Sequence, residues 1–269
     1  MNRRNVLGAS GLVGASLAAF TSPAAAQTAP NSTLDRILKE KVIRISCDTS
    51  SPPFGVIGAD GKPDGVEVAT CKQLAKDLGV ELDLVQVVST QRIPSLLAGR
   101  SDVTLSSISI TLDRAKAVSF CNPTGALAIV VFGPQKNAVA KPEDMAGKRI
   151  GVTRATLEEA ALPKMAPQGT RIVWFDDISA TIQSMLAGQV DAISMSEFAA
   201  RSVMERNPRA GIEVKFLVTR AFYAPIVRHA DHELRQWINT WVFINSRNGV
   251  LAETYEKYTG IKLPDLPTI

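Results

Sequence analysis

The chain has 269 residues, 30 Lys and Arg against 26 Asp and Glu, a formal net charge of +4 and 45% hydrophobic residues. That length suits two lobes of ordinary domain size, and nothing in the near-balance of charge argues for a surface built to hold nucleic acid or an anionic membrane. Three cysteines, Cys47, Cys71 and Cys121, are too few and odd in number for a disulfide framework; they read as small buried apolar residues, with a Cys47–Cys71 pair left open.

Residues 1–26 have the layout of a cleavable secretory signal. Arg3 and Arg4 begin a basic region, Val6 to Phe20 is apolar and small, and Pro23-Ala24-Ala25-Ala26 offers an A-x-A cleavage site. The start is loosely similar to a twin-arginine export signal but lacks the usual Phe, so a general secretory route fits equally. Export through such a signal would place the mature protein outside the cytoplasm. Without Arg3 and Arg4 the balance is 28 basic against 26 acidic residues, near +2.

After a polar linker, Leu34 to Lys41 reads as a short helix and Val42 to Cys47 as a buried strand. A loop rich in Pro and Gly follows, from Asp48 to Gly65. Val66 to Leu78 has apolar residues at helical spacing and stops at Gly79. Val80 to Val87 alternates as a strand. A helix ending at Ala98-Gly99 and a strand at Val103 to Leu105 complete a β-α-β-α-β run, which predicts a largely parallel sheet. Leu127 to Phe132 is a continuous β-rich run. A second unit then repeats the order: strand Lys148–Val152, helix Leu157–Met165, strand Arg171–Phe175, a helix, strand Ala192–Met195 and helix Phe198–Arg206. Val214–Val218 and Tyr223–Val227 are two further β-rich runs. A long helical region, Asp231 to Tyr258, carries Trp237, Trp241 and Phe243 as core aromatics.

One segment occurs twice. Ile93 to Val103 reads IPSLLAGRSDV, and 89 residues later Ile182 to Ala192 reads IQSMLAGQVDA, with six of eleven positions identical. Each copy reads as the end of an amphipathic helix, a Gly stop, and an Asp leading into a buried strand. The expected architecture is therefore α/β: two lobes, each a doubly wound sheet, joined by two crossover strands. Lobe 1 takes residues 34–128 and 224–269, and lobe 2 takes 129–223. Ligands of such sheets bind beyond the carboxyl ends of the strands, so a cleft between the lobes is the expected site.

The first repeat runs directly into Ser106-Ser107-Ile108-Ser109-Ile110-Thr111-Leu112-Asp113-Arg114. Thr111 reads as the N-cap of a helix holding Arg114. Hydroxyls, free backbone N–H groups and a guanidinium at a strand end form a good carboxylate site, because a planar guanidinium donates two parallel bonds. Exposed turn serines and a surface Arg are the plain alternative.

This segment resembles the signature of the polar amino-acid-binding proteins of ABC importers, periplasmic solute-binding protein family 3. Asp48-Thr49-Ser50-Ser51-Pro52-Pro53-Phe54, Gly61 to Leu78, Lys148-Arg149-Ile150-Gly151-Val152 and Ala252 to Tyr258 resemble further family segments. The resemblance implies a Venus flytrap fold, a small-molecule ligand, a membrane permease as partner, a monomer and no cofactor. It implies that Arg114 holds the ligand's α-carboxylate, that Ser106, Ser107 and Ser109 bond carboxylate and amine, and that Thr156 and Leu157 close from lobe 2. Phe54 stands as wall, and Ala155 stands where the family usually has Gly. Two positions depart. Ser196 replaces the usual amine-binding Asp, with Glu197 adjacent as a substitute. Ser51 replaces the usual stacking aromatic. Asp48 is a candidate partner for a cationic ligand group, as well as a plain turn cap. The expected function is capture of an amino acid or related small carboxylate by hinge closure. The alternative is an enzyme on the same scaffold, similar to cyclohexadienyl dehydratases, for which Glu197 is the one favouring feature. His229 and His232 read as surface residues, and no metal spacing is visible.

Overall fold

The computed structural model describes residues 32–269, so the signal segment lies outside the described residues. In chain order the elements are α1 (Thr33–Glu40), β1 (Val42–Cys47), β2 (Val56–Ile57), β3 (Pro63–Asp64), α2 (Val66–Leu78), β4 (Glu81–Gln86), α3 (Arg92–Leu97), β5 (Val103–Thr104), α4 (Leu112–Ala115), β6 (Ser119–Phe120) and β7 (Gly125–Pro134). There follow β8 (Arg149–Thr153), α5 (Leu157–Met165), β9 (Arg171–Phe175), α6 (Ile178–Leu186), β10 (Ala192–Ser196), α7 (Glu197–Arg206), β11 (Ile212–Tyr223), β12 (Ile226–Val227), α8 (His232–Arg247) and α9 (Val250–Thr259).

Two five-stranded sheets form the two lobes, in the orders β4-β1-β5-β12-β6 and β11-β7-β10-β8-β9. Each contains the same parallel triplet. In the first sheet β1 lies between β4 and β5. In the second β8 lies between β9 and β10. Each strand is reached through a helix, as a parallel crossover requires. Ile43, Ile45 and Cys47 pack with Val68, Cys71 and Leu74 of α2 in the first core. Phe132, Ile193 and Met195 pack with Met185 of α6 and Val203 of α7 in the second.

The repeat is a repeat of hydrogen bonds. Ala98 N donates to Pro94 O and Ala187 N to Gln183 O, both at 2.9 Å; Gly99 and Gly188 donate to Leu96 O and Met185 O, both at 3.0 Å. Both glycines take left-handed φ, 71° and 72°, which ends each helix. Asp102 Oδ2 then accepts from Arg44 N at 2.9 Å, and Asp191 Oδ2 from Arg149 N at 2.8 Å. Each Asp thus accepts from a backbone N–H of the central strand and ties that strand to the one that follows the repeat.

Two expectations are corrected at the edges of these elements. Val214–Val218 belongs to one twelve-residue strand, β11, that pairs antiparallel with β7 along its length. Tyr223 ends that strand, and after a two-residue break Ile226–Val227 joins the first sheet as β12. The C-terminal helical region is two helices, because Gly249 adopts φ 87° between them. Trp241 is buried, whereas Phe243 is 56% exposed and lies beneath the Arg247 guanidinium. The three cysteines are buried free thiols. Among the described residues no helix is long and apolar enough to cross a membrane.

Asp102 is 2% exposed and also pairs with Arg36 at 2.6 Å, while the Asp191 side chain is 24% exposed. Asp102→Ala is expected to destabilise by about 3 kcal/mol, because it strands a buried N–H and a cation. Asp191→Ala is expected to cost clearly less. Urea unfolding of the two variants measures the order, and equal or reversed losses would contradict it.

Candidate functional site

The carboxyl ends of β5, β8 and β10 meet a cavity of about 40 Å³ between the sheets. Of the sequence-predicted residues, Ser51, Phe54, Ser107, Ser109, Arg114, Thr156, Leu157 and Ser196 line it. Thr111 caps α4 as expected, its hydroxyl accepting from Arg114 N at 3.2 Å. The Arg114 guanidinium donates to Ser109 O at 2.9 Å and, across the cleft, to Ala155 O at 2.9 Å. Phe54 is wall rather than stacking platform: it is 2% exposed and meets Phe198 and Tyr223 edge-on at 5.6 and 5.5 Å. Ser196 caps α7, accepting from Ala199 N at 3.1 Å.

Three expected residues stand elsewhere. The Asp48 carboxylate is buried in its own turn, accepting from Ser50 N, Ser50 Oγ and Ser89 Oγ. The Ser106 hydroxyl accepts from Asp48 N at 2.9 Å and sits behind the wall. Glu197 does not replace the missing amine partner. One residue past the strand end, it turns to the other side of β7 and accepts from Ala128 N at 3.2 Å. Arg154 likewise faces out, paired with Asp176 at 3.2 Å.

The main residue the sequence reading missed is Arg92. It is 7% exposed and donates to Ser89 O, Ser106 O and Ala155 O at 3.0–3.1 Å. The repeat held the signal: 89 residues on, the equivalent position is Thr181. A charge at the head of one apolar helix where its twin has a hydroxyl marks a position that differs for a reason. The two guanidiniums converge on the Ala155 carbonyl, in a turn where Ala155 has a left-handed φ of 59°. Burial, then the neighbouring Arg92 charge, lowers the Arg114 pKa to about 10. Burial also lowers Arg92. Glu158 lines the same wall, and burial raises its pKa. The site is therefore desolvated and rich in cation, a setting that favours an anion.

Behind the wall, Glu67 organises the strand end. It is 1% exposed, and its Oε2 accepts from Ser107 N at 2.8 Å. Ser107 holds a left-handed φ of 45°, uncommon for a residue with a Cβ, and the bond to Glu67 fixes it. An acid between Val66 and Val68 in the first turn of an apolar helix was the available signal.

Residues 43–261 match the family model of the bacterial extracellular solute-binding proteins, family 3. The chain belongs to this family. It is 27% identical over 230 residues to the L-cystine-binding protein TcyJ of Escherichia coli (strain K12), covering 84% of this chain and 86% of that one. It is 31% identical over 229 residues to the histidine-binding periplasmic protein of the same strain, covering 80% and 86%. Among solved structures, the ancestral amino acid-binding protein AncCDT-1, a precursor of cyclohexadienyl dehydratase, superposes with a TM-score of 0.75 at 28% identity, covering 85% of this chain and 99% of that one. The family places the motif-bearing wall of this member in a two-lobed binding fold.

Burial raises the Glu67 carboxyl to about 7, against the lowering effects of Ser107 N–H and Arg92. Between the ordinary carboxylate range and pH 7 the folded chain keeps a proton that the unfolded chain has released. The stability linked to Glu67 thus falls as pH rises through that window. Glu67→Gln keeps an acceptor for Ser107 and removes the titration. The melting temperature of Glu67→Gln relative to the parent is expected to rise between about pH 5 and pH 8. A difference that stays constant with pH would contradict the assignment.

Proposed function

We propose that this family member is the solute-capturing component of an ABC importer, acting in the periplasm after export through its cleavable N-terminal segment. It takes an amino acid or related small carboxylate between the lobes and hands it to a membrane permease. Lobe 1 comprises 34–128 and 224–269 and lobe 2 comprises 129–223, so the crossings fall in β7 and after β11. The observation that carries this reading is the convergence of Arg92 and Arg114 on one carbonyl oxygen at facing strand ends. A ligand carboxylate carries a full charge where the carbonyl carries a partial one, so it is the stronger partner for those donors. Ser107, Ser109, Thr156 and Ser196 add hydroxyls around it. Closure follows because the ligand touches both lobes and so binds the closed arrangement more tightly.

The grip is on the carboxylate. No Asp lines the cavity, and its one acidic residue, Glu158, is held toward the neutral form by burial. The feature that favoured an enzyme, Glu197, faces away from the cavity, so capture without turnover is the better-supported activity. Prephenate or arogenate recovered unchanged after incubation agrees with this, and their conversion would overturn it.

A thermal-shift screen of the twenty amino acids, their decarboxylated amines and common organic acids tests the class. At least one carboxylate should stabilise the protein, by about 2.7 kcal/mol when present at one hundred times its Kd. The matching amine should not. Arg114→Ala should abolish the shift, and a shift that survives this substitution would reject the site.

A further inference from the structure

The β7–β11 ribbon carries a second concavity at its edge, beyond the cleft. Strand β10 ends at Ser196, opposite Ile129 of β7, which leaves the preceding edge of β7 without a strand partner. Two side chains take its edge groups. Glu197 Oε1 accepts from Ala128 N at 3.2 Å, and the Tyr255 hydroxyl donates to Ala126 O at 2.7 Å. Glu197 opens α7, beside the second sheet, and Tyr255 belongs to α9, which packs on α2 and α8 of the first. Residues of the β7–β11 ribbon alternate between its faces. Leu127 and Ile129 line the interlobe cavity. Ala126 with Phe222, and Ala128 with Arg220, are the alternate pairs. Beside this edge a groove of about 350 Å³ is bounded by Arg220, Phe222, Glu197, Tyr255 and Lys262, with Leu127 standing between it and the cavity.

The geometry points to a second ligand site in this groove, for a small carboxylate with an aromatic or aliphatic body, whose occupancy favours the closed arrangement of the lobes. The volume falls within the usual range for small-molecule pockets, roughly 300–1,000 Å³. Phe222, 37% exposed, and Pro264 form an apolar floor. Arg220 and Lys262 form no ion pair among the described residues. The groove's one carboxylate, Glu197, already has an oxygen on Ala128 N. The surplus charge is positive, and a guanidinium and an ammonium beside an apolar floor fit the two ends of such a ligand.

The coupling follows from position. The groove takes Arg220 of β11 and Glu197 of α7 from the second sheet, and Tyr255 of α9 and Lys262 beyond it from the first, so a ligand seated there bridges the two lobes. Here the cavity is about 40 Å³ and the groove about 350 Å³. A ligand that fits the wide groove binds this arrangement better than an opened one, and so shifts the population toward it. The site itself stands apart from the carboxylate grip in the cleft; only the coupling rests on hinge closure.

The probe is 4-fluorophenylacetate, titrated into the full chain and followed by fluorine NMR. The protein carries Arg114→Ala, so that the cleft grip is gone. Saturable binding is expected with a Kd of roughly 0.1–1 mM. Adding Arg220→Gln and Lys262→Gln should weaken it about tenfold, with far-UV circular dichroism and melting temperature unchanged; Lys262→Glu alone, on the exposed tail, should move it the same way. Spin labels on Asp113→Cys and Lys164→Cys, exposed residues of α4 and α5, read the lobe separation. The short-distance fraction should grow with probe. Binding that both glutamine substitutions leave unchanged would put the probe outside the groove and overturn the site. Absence of saturation by about 10 mM would overturn it as well. Saturable groove binding with unchanged label distances would overturn the coupling.

Discussion

Two guanidiniums meeting on one carbonyl oxygen set the terms for the rest of the molecule. A buried guanidinium must place its N–H groups or lose several kcal/mol of hydration. Arg92 places three of them, on Ser89 O, Ser106 O and Ala155 O. In doing so it ties the turn before α3, the end of β5 and the first turn of the opposite lobe into one network. Arg114 joins from α4 and shares the last of these partners. Burial depresses both Arg pKa values, and the neighbouring Arg92 charge lowers that of Arg114 further. A network of this kind holds two lobes together with strong donors and a weak acceptor. It is stable enough to persist and gains from a better acceptor.

The frame was legible in the sequence because it is periodic. Helix stops at glycine, buried alternation and the paired IPSLLAG and IQSMLAG segments are local signals, and the sheets and cores formed where those signals pointed. Most of the cavity wall was legible too, since Ser107, Ser109 and Arg114 follow one another along a single strand end. What escaped was set by direction rather than order. Glu197 is adjacent in sequence to a cavity residue, yet a helix beginning at that position turns its side chain to the back of β7. Asp48 and Ser106 have the right chemistry but satisfy each other's neighbourhood first. Arg92 and Glu67 escaped for the converse reason: each sits in an apolar helix where pattern reading assigns a core or surface position, and only the fold reveals that both look toward one strand end.

The ribbon of β7 and β11 separates two environments with different chemistry. On the cleft side its residues are Leu127 and Ile129, apolar and enclosed by hydroxyls and guanidiniums. At its open edge the backbone groups of β7 are met by Glu197 and Tyr255, from α7 and α9. Gly125 stands where the ribbon leaves the first lobe, and a Cβ there would lie 2.2 Å from the Tyr223 hydroxyl oxygen. The crossing is therefore closely packed on itself.

The aspartates of the repeat have a consequence for how this protein changes over time. Asp102 and Asp191 stand just before their strands, and in both lobes a side chain that lines the cavity comes five residues later, at Ser107 and Ser196. The anchor precedes the strand and the cavity position stands at its far end. Exchanging one tip for another leaves the foundation untouched. A lineage, or a designer, can rewrite what the cleft recognises by editing a handful of tips, much as a key is recut without recasting its bow.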